Sequence, residues 1–184
     1  MALLPIKTYG DPVLRKKSEP ITEITPELRQ LAQDMLETMY DAPGCGLAAP
    51  QIGESVRVLI VDGRDMTDIY PYLDGFTRVM INPVVLEESD KKVVYSEGCL
   101  SVPGIYCDVA RPDSMTVEYY DENLEKKTET FDKFACRMVQ HEMSHLDGDL
   151  FVDHVPPIRK KIISKKLMNI SKGRVPARYI TKIK

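Results

Sequence analysis

The apolar positions of the chain follow two rhythms. From Leu28 to Met39, Leu28, Leu31, Ala32, Met35, Leu36 and Met39 recur at spacings of three and four, which predicts an amphipathic helix with one buried stripe. Thr25 suits its N-cap, Pro26 its first position, and Pro43-Gly44 ends it. A second helix is predicted from about Lys133 to Leu146, with Phe134, Met138, His141 and His145 on its inward side and Gly148 just past its end. A third follows Pro156-Pro157, its apolar positions being Ile158, Ile162, Ile163 and Leu167. The other rhythm is that of strands. "VRVLIVDG", "RVMINPVVLEE" and "KVVYSEGCLS" are rich in β-branched residues, the last ending at Gly98-Cys99. Residues 63–77 read as a connection, and "SMTVEYYDENLEKKTETF" as a hairpin around the polar turn Asp121 to Asn123. The tail "RVPARYITKIK" reads as extended. Strands beside segregated helices predict an α+β fold. It is expected to be one domain over residues 1–184, with mixed or antiparallel strands around the second helix and a C-terminal helix.

Composition adds two constraints. With 184 residues, 43% hydrophobic and 29% charged, the chain can bury a sizeable core. It has no run of 18 apolar residues and no signal-peptide layout at "MALLPIKTYGDP". The expectation is therefore a cytoplasmic protein without a membrane span, whose four cysteines (Cys45, Cys99, Cys107, Cys136) stay reduced. Charge is unevenly spread: residues 154–184 hold ten of the 25 Lys and Arg and none of the 28 Asp and Glu. A basic tail, about 158–184, on an acidic body predicts either an anionic partner or a solvated helix face.

The candidate chemistry lies in the second helix, at "QHEMSHLDG". Histidines four apart stack on one helix face, where two imidazoles can hold one metal ion and the adjacent glutamate can act as general base. A catalytic site needs a third protein ligand. Phe151 occupies the position where one protease class has its third histidine, and no glutamate follows Glu142. The downstream acids Asp147, Asp149 and Asp153 lie near the helix end, so an upstream ligand is favoured. Cys99, after a glycine at a predicted strand end, is the best candidate. Cys45, Cys107 and Cys136 read better as small buried apolar residues. His154 reads as a surface histidine or a supporting one.

Three separated strings, "GCGLAAPQ" at 44–51, "EGCLS" at 97–101 and "QHEMSHLDG" at 140–148, resemble the peptide deformylase family in order and spacing. That resemblance runs from "YGDPVLR" through the third helix. It implies removal of the N-formyl group from the initiator methionine of nascent bacterial or organellar proteins, releasing formate. It implies one divalent ion per chain on Cys99, His141 and His145, usually Fe(II), with zinc, nickel or cobalt as substitutes. Glu142 would be the general base. The Gln51 side chain and the backbone N–H of Leu100 would stabilise the oxyanion. An extended peptide would lie beside Gly44, Cys45 and Gly46. Phe134 and Met138, with Cys45 opposite, would line the methionine pocket, and Arg137 would sit at its rim. The partners expected are formylmethionyl peptides and, through the basic helix, the ribosome surface. The protein is expected to act as a monomer.

One position departs from the family pattern: Ser144 stands where an aspartate is usual. Arg111 is the candidate partner of that missing acid, and should here find another acid or face water. Two rival readings differ in class. One is a zinc peptidase with an aspartate as third ligand. The other is a ribosome-binding protein with a relic metal site.

Overall fold

The computed structural model describes residues 2–183, so Met1 and Lys184, the latter one of the tail's ten cations, lie outside the described residues. In chain order the elements are β1 (Ile6–Lys7), α1 (Pro26–Asp41), β2 (Gly46–Ala48), β3 (Val58–Asp62), β4 (Thr77–Glu88), β5 (Lys92–Cys99), β6 (Val102–Pro112), β7 (Ser114–Tyr120), β8 (Lys126–Asp132), α2 (Lys133–Leu146), α3 (Pro157–Ser171) and β9 (Thr181–Lys182). A five-stranded antiparallel sheet has the order β2-β3-β4-β7-β8, so β2 is an edge strand. The pairs β5-β6 (antiparallel) and β1-β9 (parallel) are separate two-stranded sheets. The fold is α+β, as the sequence predicts.

Strand β3 explains the layering. All five of its residues are buried, because both of its faces are covered. Val58 and Ile60 pack with Met35 and Met39 of α1, while Leu59 and Val61 pack with Met138 and Val139 of α2. The alternation of a strand thus sends one set of side chains to each helix. Helix α1 begins as expected, with the Thr25 hydroxyl accepting from the Leu28 N–H at 3.2 Å. Ten α2 residues from Ala135 to Leu146 are buried, making it the central helix. None of the described helices is long and apolar enough to cross a membrane.

Two parts of the chain differ from expectation. Strand β6 was not predicted, although Ile105, Cys107 and Val109 alternate inward along it and pack on Phe151 and α3. The segment 63–77 is not a plain connection. It holds two short 3-10 turns that bury Leu73. In α3, Ile158 and Ile162 are 73% and 62% exposed, and the buried positions are Ile163 and Ile170. One apolar line along α3 suffices because only the β6 side covers it.

The β5-β6 hairpin is joined to α2 by buried ion pairs. Arg111 of β6 donates Nε to Glu97 at 2.8 Å and Nη2 to its other oxygen at 3.0 Å. Arg137 of α2 donates Nη1 to Glu97 at 2.7 Å, and its guanidinium also reaches the carbonyls of Val109 and Val93 at 2.7 and 2.8 Å. The Arg137 and Glu97 side chains are each 3% exposed. Burial alone would raise the Glu97 pKa, but hydrogen bonds from His141 and Arg111 outweigh it and hold the carboxyl at about 2. Burial draws the Arg137 guanidinium down, against the attraction of Glu97.

Glu97 is therefore ionised in the native state well below the pH at which it protonates when unfolded. Its contribution is full above about pH 4.5 and is lost as pH falls towards 2, worth roughly 3 kcal/mol. In metal-stripped protein, Glu97→Gln should lose about 3–5 kcal/mol at pH 7 by urea unfolding, because two arginines keep no counter-charge. That deficit should narrow as pH drops below about 4.5. A deficit independent of pH would contradict the assignment.

Candidate active site

Helix α2 brings His141 and His145 to the same side, one turn apart, with ring centroids 5.2 Å apart. Cys99 reaches them from the end of β5. The ligand atoms of Cys99, His141 and His145 all lie within 4.8 Å of one another, and no other such trio gathers among the described residues. The Cys99 Sγ is 3.3 Å from His145 Nε2. His141 has its Nδ1 taken by Glu97 at 2.8 Å, which leaves Nε2 for the cluster. One thiolate and two imidazoles suit zinc or ferrous iron, and three protein ligands leave a position for water. The residues present fit a divalent ion.

The downstream aspartates are engaged elsewhere. Asp147 pairs with Arg57 at 3.1 Å, Asp153 with Arg15 at 2.6 Å, and Asp149 with the exposed His154. No aspartate joins the histidines, which removes the structural basis of the aspartate-ligand reading. Cys107 and Cys136 are buried in the core, and burial pushes the Cys136 thiol up to about 12.

Electrostatics separates the two histidines. Burial draws both down, but hydrogen bonds with Cys99 and Glu97 overcome this at His141 and raise it well above its ordinary value. His145 has no such compensation: burial and the charges of His141 and Arg111 hold it well below its ordinary value, and its Nδ1 is buried without a partner among the described residues. Glu142 is buried behind the cluster. Its Oε1 is 3.9 Å from His141 Nε2, and its Oε2 has no hydrogen-bond partner among the described residues. Burial is the main force lifting its pKa, to about 7. Gly46 makes room for it, since a Cβ there would lie 2.7 Å from Glu142 Oε1.

Gln51 is also buried. Its Oε1 accepts from the Ala48 N–H at 2.9 Å, and its Nε2 faces Ser101 Oγ at 3.0 Å and Cys99 Sγ at 3.5 Å. The Ser101 N–H points at the same sulfur, at 3.4 Å. Gly44, Cys45, Gly46, Leu100, Phe134 and Met138 all line one cleft of about 1140 Å³ that opens onto the cluster. Phe134 stacks on Tyr70 at 4.5 Å and meets Tyr95 edge-on at 5.4 Å. Burial and the nearby Glu142 raise the Cys45 thiol to about 11, so it stays protonated in the cleft wall.

The structure corrects the placement of Arg137. It borders the cleft floor rather than the rim, and its guanidinium is buried and committed to Glu97, Val109 and Val93. Arg111 does find another acid, Glu97, and also donates Nη1 to Ser144 Oγ at 2.9 Å. Ser144 passes its own hydrogen to the Gln140 carbonyl at 3.0 Å. The sequence reading missed the part played by Glu97. Its position two residues before Cys99, on one face of a strand, was the available signal. It also missed Tyr179, which joins the cleft from the far end of the chain.

Comparisons with known proteins bear on the family of the chain. The model of the polypeptide deformylase family matches residues 3–161. A peptide deformylase of Christiangramia forsetii is 44% identical over 184 residues, covering 96% of this chain and 94% of that one. One from Chlorobaculum parvum is 44% identical, covering 96% and 92%. Among solved structures, the Thermus thermophilus peptide deformylase aligns with a TM-score of 0.83 at 37% identity, covering 94% of this chain and 99% of its own. A Synechococcus elongatus peptide deformylase solved in complex with actinonin aligns with a TM-score of 0.79 at 36% identity, covering 97% and 91%. With sequence and fold in agreement along nearly its whole length, the chain belongs to the peptide deformylase family.

Proposed function

We propose that this chain hydrolyses the N-formyl group of the initiator methionine of nascent polypeptides, releasing formate and a free amino terminus. The observation that carries the reading is the convergence of Cys99, His141 and His145 with the buried Glu142 carboxylate, whose Oε2 has no hydrogen-bond partner among the described residues, in a peptide-sized cleft. Cys99, His141 and His145 would hold a divalent ion, read as Fe(II) in the cell with zinc, nickel or cobalt as substitutes, which when bound would supply Lewis acidity towards water and a carbonyl oxygen.

The remaining work falls to the chain. Glu142, poised near pH 7, takes a proton from the attacking water and delivers it to the departing amine nitrogen. The Leu100 N–H and Gln51 Nε2 face the oxygen on which negative charge develops. At Gln51 the contact given up is the long one to sulfur. The peptide lies extended against β2, whose free edge offers backbone groups for strand addition. The methionine side chain enters between Phe134, Met138 and Cys45, apolar surfaces that suit a flexible thioether. Arg111 keeps Glu97, which it shares with Arg137, as a counter-charge and Ser144 as a hydrogen-bond acceptor where the aspartate is missing. The protein is read as a bacterial, cytoplasmic monomer.

Anaerobically purified protein should release formate from formyl-Met-Ala-Ser. Glu142→Gln should lower kcat at least about 100-fold while one metal per chain is retained. Absence of formate release by the native protein would overturn the reading. Ser144→Asp should change kcat by less than about tenfold; a gain of about a hundredfold would mean that the serine impairs the site.

The basic face of α3 is read as a docking surface for the anionic ribosome. Lys160, Lys161, Lys165 and Lys166 are all exposed. Replacing these four with Ala should abolish co-sedimentation with ribosomes at low salt, and unchanged co-sedimentation would refute the docking role.

A further inference from the structure

The segment after α3 returns to the cleft. The chain turns back at Gly173, whose φ of +68° takes the left-handed region. Pro176, Ala177, Arg178 and Tyr179 then line the cleft. Past them, the Ile180 carbonyl accepts the Ile6 N–H at 2.9 Å, and Thr181 and Lys182 pair with Ile6 and Lys7. This wall lies beyond residues 3–161, the span matched by the family model.

Tyr179 makes one polar contact there: its hydroxyl donates to the Leu100 carbonyl at 2.6 Å. That carbonyl belongs to the Leu100–Ser101 peptide unit, whose N–H is the one that points at Cys99 Sγ at 3.4 Å. A trans peptide is planar, with its C=O and N–H directed oppositely. The described chain has no cis peptide bond. A single rigid plate therefore carries Tyr179 at one end and the Cys99 sulfur at the other. Rotating the plate away from one partner turns it away from the other. Hydrogen bonds in series also polarise one another. The next peptide along is fixed as well, since the Ser101 carbonyl accepts the Tyr9 N–H at 2.8 Å.

We infer that Tyr179 is a positioning residue for Cys99: through the Leu100–Ser101 peptide it aims and strengthens an N–H donor on the ligand sulfur. Hydrogen bonds to a ligand thiolate withdraw charge from it and so tune the bound ion. The same contact steadies the turn that carries the Leu100 N–H. The inference rests on the deformylase reading only for its kinetic consequence. Its spectroscopic consequence needs no substrate.

The test is Tyr179→Phe, which keeps the ring and removes only the hydroxyl. In cobalt-loaded protein the sulfur-to-cobalt charge-transfer band should move to longer wavelength, because a thiolate with a weaker N–H donor gives up its electrons more easily. With formyl-Met-Ala-Ser, kcat should fall about tenfold and KM should change less than about threefold, the pattern of an effect on the transition state. The Ile6 amide should keep its protection from hydrogen exchange, showing that the tail remains docked. A wild-type band in the variant would overturn the inference. So would a band shift accompanied by loss of Ile6 protection, which would make the hydroxyl only an anchor for the tail. If native protein releases no formate but the band still shifts, the deformylase reading fails and the role of Tyr179 stands.

Discussion

One buried carboxylate organises the site. Glu97 takes hydrogen bonds from Arg111 on its own hairpin and from Arg137 on the central helix, and it holds the Nδ1 of His141. Each partner comes from a different part of the fold, so the carboxylate sets the distance between β5-β6 and α2. That distance is also the gap between Cys99 and the two histidines. An ion pair this deep is weak evidence for stability, since desolvation offsets much of the attraction. Its value here is geometric, because only one packing of hairpin against helix satisfies all three partners.

The same cluster explains why a serine can occupy the position after Met143. The two arginines bring two positive charges to one carboxylate, and the neutral hydroxyl of Ser144 completes the hydrogen bonding without changing that balance. The excess positive charge acts on the neighbours. Arg111 lowers the proton affinity of both His145 and Glu142. The acid at the cleft floor nevertheless stays near neutral pH because burial outweighs these charges.

What the sequence made legible depended on range. Helix α1 announced itself through Thr25, Pro26 and six apolar positions, because capping and periodicity are local. The β5 strand and α2 were equally plain, and the resemblance tied them to one site. Strand β6 escaped although its alternation is regular, since Gly104 and charged residues interrupt the apolar run. Arg137 was misplaced because a charged residue on a helix is ordinarily exposed, and only the distant Glu97 explains its burial. In the third helix, spacing alone does not say which of Ile158, Ile162, Ile163 and Leu167 is covered, and Ile158 and Ile162 are exposed. Tyr179 was beyond reach, since nothing local links residue 179 to residue 100.

The returning tail has a consequence for the order in which the enzyme is built. A chain emerging from its own ribosome presents Cys99, then His141 and His145, before Tyr179 and the strand that pairs with Ile6. Domains form as their residues become available. The cleft wall made by Pro176 to Tyr179 is therefore the part of the site that is put in place after the ligands themselves.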